Sequence, residues 1–475
     1  MRAGPFSFRV SRRRAVCVNS SGSIARVTIE TAPAAAEKKP ARPLGFWMTT
    51  ALVVGNMIGS GVFLLPSALA PFVWSAVAGW ILTIAGGICL AAVFAALART
   101  FPRAGGPYAY THEAFGAAPA FMVAWSYWIS IWVGNAAVAT GTVSYLSVFF
   151  PSIAETTGLH AVVTCGAIWL LTAINCRGAF LAGWVQLITT ILKIMPLLAV
   201  IVLAAVVLAG VGEKSASLPP FNGFVDLKLA GITAAATLTL WGLLGLESAT
   251  VPAEQVENPS KTIPRATMVG MLVTGVIYLF ACSAVILLLP ADEVAASNAP
   301  FADFVSEYLD SGYGRLLALF AAISGFGALN GWILVQGELP FAMAKGGVFP
   351  KWLAKASARG TPVRAHILTS LLLTSVVLLN YSKSMTELFT FIVLLSTTSS
   401  LFMFLASALS ALQLKRAGKL RMSSLLLMAA LSAVVYSIWT IYGAGGEAVA
   451  WGVALLFAGL PVYLFTRRQN KARGE

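Results

Sequence analysis

The run Val54 to Pro66, VGNMIGSGVFLLP, is apolar except that Gly59, Ser60 and Gly61 interrupt it halfway. Glycine weakens a helix interior, and a helix broken within hydrocarbon persists only where the freed backbone groups line a cavity or meet a ligand. A half-helix restarting near Gly61 presents unpaired N–H groups and a positive dipole end, a seat for a carboxylate. Five apolar runs later, Trp241, Gly242, Leu243, Leu244 and Gly245 interrupt a second run, whose first half ends in carbonyls that suit an amine. Together the two breaks fit an α-amino acid. Glu247, just past the second break, is the only acid deep in an apolar run, which makes it a functional candidate against the plainer reading of a glutamate hydrogen-bonded inside a bundle. Lys193, within ILKIMP, is the one Lys or Arg deep inside a run.

Bond-making chemistry has little to draw on. The three histidines (His112, His160, His366) lie near the ends of apolar runs, and neither an HExxH motif nor a pair of acids at catalytic spacing occurs. Five cysteines, odd in number and scattered, give no disulfide framework or metal spacing. We expect no catalytic residues, no cofactor and no metal, so the chemistry is binding and release.

The 475 residues are 58% hydrophobic and 11% charged, with a mean hydropathy of +0.83, whereas a soluble chain is about a quarter charged. Twelve apolar runs of roughly bilayer length follow one another, at about 45–69, 75–98, 119–149, 160–174, 181–209, 230–251, 267–289, 315–341, 364–380, 386–411, 423–442 and 448–465. The formal charge of +14 would suggest nucleic acid in a soluble protein. Here all the Lys and Arg except Lys193, Lys214, Lys228, Arg315 and Lys383 fall in the two tails and in alternate loops, which is an orientation signal. This pattern predicts an all-α membrane protein with twelve spans, both termini cytoplasmic, and no nucleic-acid partner. Residues 1–42 carry Arg12, Arg13, Arg14, Lys38, Lys39 and Arg42 and no spanning run; SRRR at 11–14 is similar to a twin-arginine signal, but no apolar segment follows it, so a disordered basic tail is expected. Residues 467–475 form the other tail.

Two glycine-interrupted runs at matching places of two five-span halves point to an inverted-repeat transporter with its site at the midplane. Glycines also let membrane helices pack closely, which is the competing reading. The organisation expected within 43–466 is repeat one at about 44–210, repeat two at about 229–411, and two last helices at about 422–466, with helices 1 and 6 discontinuous.

GNMIGSGVFLLP, RAGGPYAY (103–110), YWISIWVGNAAV (127–138), LWGLLGLESA (240–249), ENPSKTIPRAT (257–267) and LNGW followed by GVFPKW fall in order along the chain. In these motifs, over about 44–465, it resembles the amino acid/polyamine/organocation transporters, most of all the bacterial arginine/agmatine antiporters and their lysine/cadaverine and ornithine/putrescine relatives. The resemblance implies a LeuT-like fold of five plus five inverted spans and two more, in a bacterial inner membrane, as a homodimer. It also implies exchange of amino acids or their amines by alternating access.

The resemblance further places Asn56, Met57, Ser60 and Gly61 at the substrate's carboxylate and amine. Tyr127, Ile131 and Asn135 lie four apart and share one helix face, with Ser130 and Val138 beside it; Tyr127 matches a gate and Asn135 an amide reaching the substrate's polar head. Trp241, with Leu244 near it, matches a tryptophan stacked over the substrate, and Trp332 one that holds a guanidinium by cation–π attraction. Glu247 matches a proton-sensing or gate-steadying glutamate. Lys193 departs from the arginine antiporters and is similar to relatives in which a lysine takes the place of sodium, as a gating or proton-coupling group or one that neutralises carbonyls of the break, so no sodium dependence is expected. Span ten departs too: in LLSTTSSLFMFLA (394–406), Ser396 or Thr397 stands for the family's serine, while Phe404 or Leu405 fills the place of its tyrosine. Arginine and agmatine come first as substrates, lysine or ornithine and their amines next, with neutral amino acids or polyamines as the alternative.

Overall fold

The computed structural model describes residues 15–18, 24–27 and 44–471, except 103–104, 178, 212–213, 251–252, 254–255, 359 and 381, with side chains described from 44 onward except at 60, 179–192 and 470–471. The chain divides into two units, Met1–Ala41 and Arg42–Glu475. In the first unit, β1 (Ala15–Val18) pairs antiparallel with β2 (Ile24–Val27), Ala15 opposite Val27 and Val18 opposite Ile24. The β-branched residues of AVCV and IARV suit strands, where a disordered tail is the sequence expectation. The remainder of 1–42 lies outside the described residues.

In the second unit, the apolar runs become helices because in lipid a helix satisfies its backbone internally. The first half contains α1 (Phe46–Met57), α2 (Leu65–Leu69), α3 (Trp74–Thr100), α4 (Pro107–Phe115), α5 (Ala117–Leu146), α6 (Ser152–Glu155), α7 (Leu159–Cys176) and α8 (Ala179–Leu208). The second contains α9 (Leu229–Gly242), α10 (Pro259–Leu288), α11 (Ala291–Ala296), α12 (Pro300–Tyr308), α13 (Ser311–Lys345), α14 (Val363–Leu379), α15 (Met385–Arg416), α16 (Ser424–Gly443), α17 (Gly445–Phe457) and α18 (Gly459–Lys471). Eight described helical stretches are long and apolar enough to cross a membrane: α3, α5, α7, α10, α13, α15, α16 and the stretch Gly445–Gln469. Shorter apolar helices are α1, α9, α14 and the Lys193–Leu208 part of α8. The helices α4, α11 and α12 do not show as apolar runs because each is short and mixed with polar residues. The basic residues Arg467 and Arg468 continue α18 as helix, where the sequence suggests a tail.

Helix ends follow local chemistry. Pro66 sits in the first turn of α2 and Pro259 in that of α10, where a missing N–H costs nothing. Ser384 and Glu387 form a reciprocal capping box at the start of α15. The core centres on α5, in which every residue from Ser126 to Tyr145 is buried, packed chiefly against α15 and α13. Small residues set the closest helix approach: a Cβ on Gly79 of α3 would stand 2.7 Å from the Ala235 Cβ of α9 and 3.1 Å from the Ala235 backbone. Gly79→Val should therefore lower the melting temperature of the detergent-solubilised protein, since overpacking of this kind costs about 1–3 kcal/mol. Gly166→Ala, with open space around it, should leave the melting temperature unchanged.

Candidate functional site

Both interrupted runs are broken in the structure. Helix α1 ends at Met57, Ile58 and Gly59 are extended, and a single 3-10 turn, Ser60–Phe63, precedes α2. Helix α9 ends at Gly242 and gives way to a turn with Gly245 at φ +108°, then a 3-10 turn at Ser248–Thr250. The two breaks lie against each other: a Cβ on Gly245 would stand 3.1 Å from the Asn56 carbonyl carbon and 3.2 Å from the Met57 nitrogen. Glycine is required at 245 twice over, by its positive φ and by this backbone approach. Gly61 lies directly under the Trp241 indole, which a Cβ would meet at 1.9 Å.

Neighbouring side chains take up the backbone groups around the breaks. Tyr278 of α10 donates its hydroxyl to the Met57 carbonyl at 2.9 Å. Lys193 of α8, almost fully buried, donates to the Gly55 carbonyl at 3.4 Å. Glu247 accepts from the Gly245 N–H at 3.2 Å. Each answers the cost of leaving a buried polar group unpaired.

Between the breaks and α5, α10, α13 and α15 lies a cavity of about 50 Å³. Asn56, Met57, Tyr127, Ser130, Ile131, Asn135, Val138, Trp241, Leu244, Glu247 and Trp332, all singled out from the sequence, line it together. Gly61 stands beside it beneath Trp241, and the Ser60 side chain lies outside the described residues. One other expectation needs correction. Thr397 is not on the wall; its hydroxyl turns back to the Val393 carbonyl of its own helix at 2.7 Å, and Ser396 and Ser400, one turn apart, face the cavity instead. Lys193 sits behind α1 and does not line the cavity. Phe404 packs edge-on against Phe94 of α3, off the cavity wall.

Sequence reading missed Tyr278 and Gln336. Both are polar residues inside an apolar run, the one available signal, and their partners lie far away in sequence. Asn135, read as a substrate contact, already donates to Gln336 Oε1 at 2.6 Å.

Among the described lining residues Glu247 is the only acid, Lys, Arg and His are absent, and the aromatic rings of Tyr127, Trp241, Tyr278 and Trp332 share the wall. Tyr127 and Glu247 interact as a side-chain pair. One carboxyl group and several π-faces around a small space favour a cation. The volume admits only a few waters at the ~10–15 Å³ each requires, and the Trp241 ring on its wall stands edge-on to Phe389 at 5.6 Å.

Comparison with known proteins gives this arrangement its context. The model of the family described as "Amino acid permease" matches residues 44–465. The chain belongs to that family. It is 34% identical to the cadaverine/lysine antiporter of Escherichia coli (strain K12) over 343 residues, 71% of this chain and 75% of that protein. It is 30% identical over 465 residues, 91% of this chain and 98% of the other, to a Bacillus subtilis (strain 168) protein provisionally named an arginine/ornithine antiporter. The putrescine transporter PotE of Haemophilus influenzae is 29% identical over 424 residues, 89% of this chain and 96% of that one. The permease is thus a multi-pass bacterial membrane protein that transports amino acids or amines, and its membrane part is helical.

The packing of the breaks yields a direct test. Gly245→Ala should reduce amino acid uptake by proteoliposomes at least about tenfold with insertion unimpaired, since it strains a positive φ and presses on the Asn56 backbone. Uptake above half of wild type would contradict the view that the two breaks work in contact.

Proposed function

We propose that the permease exchanges a cationic amino acid for its decarboxylated amine, with arginine and agmatine as the first pair, by alternating access through the cavity between the two broken helices. The observation that carries this reading is a cavity whose one ionisable acid, Glu247, stands among Trp241, Trp332 and Tyr127 with no basic side chain among the described lining residues. The half-helix beyond Gly59 offers backbone N–H groups to a carboxylate, and the carbonyl end of α9 faces an amine. Trp332 takes the guanidinium by cation–π attraction, and Tyr127 and Glu247 act as gate and proton-responsive group. The names of the relatives, which pair cationic amino acids and amines, support the substrate class.

In this reading the eight long helices and the four shorter apolar ones supply twelve spans, arranged as five plus five inverted repeats and two more, with both termini cytoplasmic. Lys193, in contact with the Gly55 carbonyl, stands against the first break in the role a sodium ion has in other relatives, so in this reading exchange needs no sodium. The working unit is a homodimer. Transport of neutral amino acids or polyamines is the second reading, favoured by span ten, where Phe404 or Leu405 fills the place of the arginine antiporters' tyrosine and Phe404 packs against Phe94 off the cavity wall.

Radiolabelled arginine uptake into proteoliposomes preloaded with agmatine, arginine, lysine or leucine, or left empty, separates the two. Uptake driven by agmatine or arginine and absent from empty vesicles is the expected result; exchange of leucine alone would replace the cationic reading with the neutral one. In the same assay Trp332→Ala should raise the KM for arginine at least about tenfold, the loss of ~2 kcal/mol of desolvated cation–π attraction. Glu247→Gln should flatten the pH profile of exchange between pH 5 and pH 8, a range chosen to span about the pH at which acid groups of this kind are tuned to work. An unchanged profile would remove Glu247 from proton coupling.

A further inference from the structure

A row of buried polar side chains leads from the cavity wall into the bundle: Asn135 on α5, Gln336 on α13, Ser370 on α14 and Thr172 on α7. Taken from the far end, with Thr172 donating to its own helix, the hydrogen bonds of the row run in one direction. Thr172 spends its single hydroxyl proton on the Ile168 carbonyl at 2.7 Å. In the 2.7 Å contact between Thr172 and Ser370, the proton must then come from Ser370. Ser370 Oγ, its own proton spent, can only accept, so the Gln336 atom 3.0 Å away is the Nε2 amide nitrogen. Gln336 Oε1 therefore faces Asn135, and the Asn135 atom 2.6 Å from it is Nδ2. Reversing either amide would set two oxygens or two N–H groups against each other in a buried site. The Gln336 backbone is held as well, its carbonyl accepting from Trp128 Nε1 at 3.3 Å.

Asn135 is left with Oδ1 and the second hydrogen of Nδ2 beyond this row, on a residue that lines the cavity. We infer that Gln336, Ser370 and Thr172 are positioning residues that hold the Asn135 amide with its carbonyl oxygen as a hydrogen-bond acceptor for the substrate. The substrate group met there is a donor, an ammonium or a guanidinium; a group bringing only acceptor oxygens would face another oxygen. This rests on the proposed cationic substrate and extends it, because discrimination comes from a chain of neutral groups ending at Thr172, on a different helix from the cavity wall.

The test is isothermal titration of the purified permease in detergent with arginine and with agmatine. Gln336→Met, isosteric and unable to hydrogen-bond, should weaken arginine at least about tenfold, the scale of one hydrogen bond to a charged group. Thr172→Val, also isosteric, frees the Ser370 proton to turn toward Gln336 and lets both amides reverse; it should weaken arginine at least about threefold, a fraction of that hydrogen bond. Thr172→Ser keeps the hydroxyl and should remain within about twofold of wild type, so a packing effect is told apart from a polarity effect. In an Asn135→Ala background Gln336→Met should add less than about a further twofold, since it acts through Asn135. Wild-type affinity in both Thr172→Val and Gln336→Met would overturn the relay, as would equal losses in Thr172→Val and Thr172→Ser. So would full additivity of Gln336→Met with Asn135→Ala. Wild-type protein that binds neither arginine nor agmatine would sink the cationic exchange reading instead, and the same variants are then titrated with leucine, whose α-ammonium presents the same donors.

Discussion

No backbone N–H or carbonyl can be left unpaired in hydrocarbon, and this constraint organises the permease around its two breaks. An unbroken helix solves the problem alone. A helix stopped at Met57 or Gly242 hands its loose groups to whatever lies beside it. Tyr278 on α10 is fixed to the Met57 carbonyl, Lys193 on α8 to the Gly55 carbonyl, and Glu247 to the Gly245 N–H. Three side chains far apart in sequence thereby acquire their positions from one short stretch of α1 and one of α9. Gly245 lets the breaks touch backbone to backbone, and Gly61 makes room for the Trp241 ring.

The opposite wall is built on another principle. Helix α5 is buried on all sides, and its two faces do different work. Tyr127, Ile131 and Asn135 face the cavity, while Trp125 and Trp128 pack into an aromatic cluster with Phe349 and anchor their indole N–H groups on the Leu455 and Gln336 carbonyls. A helix held by ring packing and side-chain hydrogen bonds is stiff, whereas the broken segments keep few helical hydrogen bonds. The proposed alternating access would draw on that contrast between a packed wall and a broken one.

Much of this was legible in the sequence because it depends on short-range pattern. Apolar runs foretell helices, glycine clusters foretell the breaks at 58–61 and 243–247, and a spacing of four puts Tyr127, Ile131 and Asn135 on one face. What escaped depends on distance and rotation. The choice between Ser396 and Thr397 is a matter of about 100° around α15, and no local pattern decides it. Tyr278 and Gln336 look like ordinary polar residues in apolar runs until Met57 and Asn135 are seen beside them. The strand pair at 15–27 and the helices α4, α11 and α12 are too short for hydropathy to register.

The lack of Lys, Arg and His on the described cavity wall bears on the exchange reading itself. An amino acid and its decarboxylated amine differ by one carboxylate, and an exchanger must accept both in one site. A buried lysine or arginine placed to bind that carboxylate would be left as an uncompensated charge when the amine arrives, at a cost of several kcal/mol. Backbone N–H groups at the second half of a broken helix pose no such problem, because a water can satisfy them when the carboxylate is missing. In the proposed exchange, the common part of both substrates, a cation, would meet groups suited to it in either case: indole faces, one carboxylate and the Asn135 oxygen inferred to point at it. A site that binds the shared cation with side chains and the variable carboxylate with backbone dipoles can hold two such substrates with comparable affinity, and comparable affinity is what lets one displace the other across a membrane.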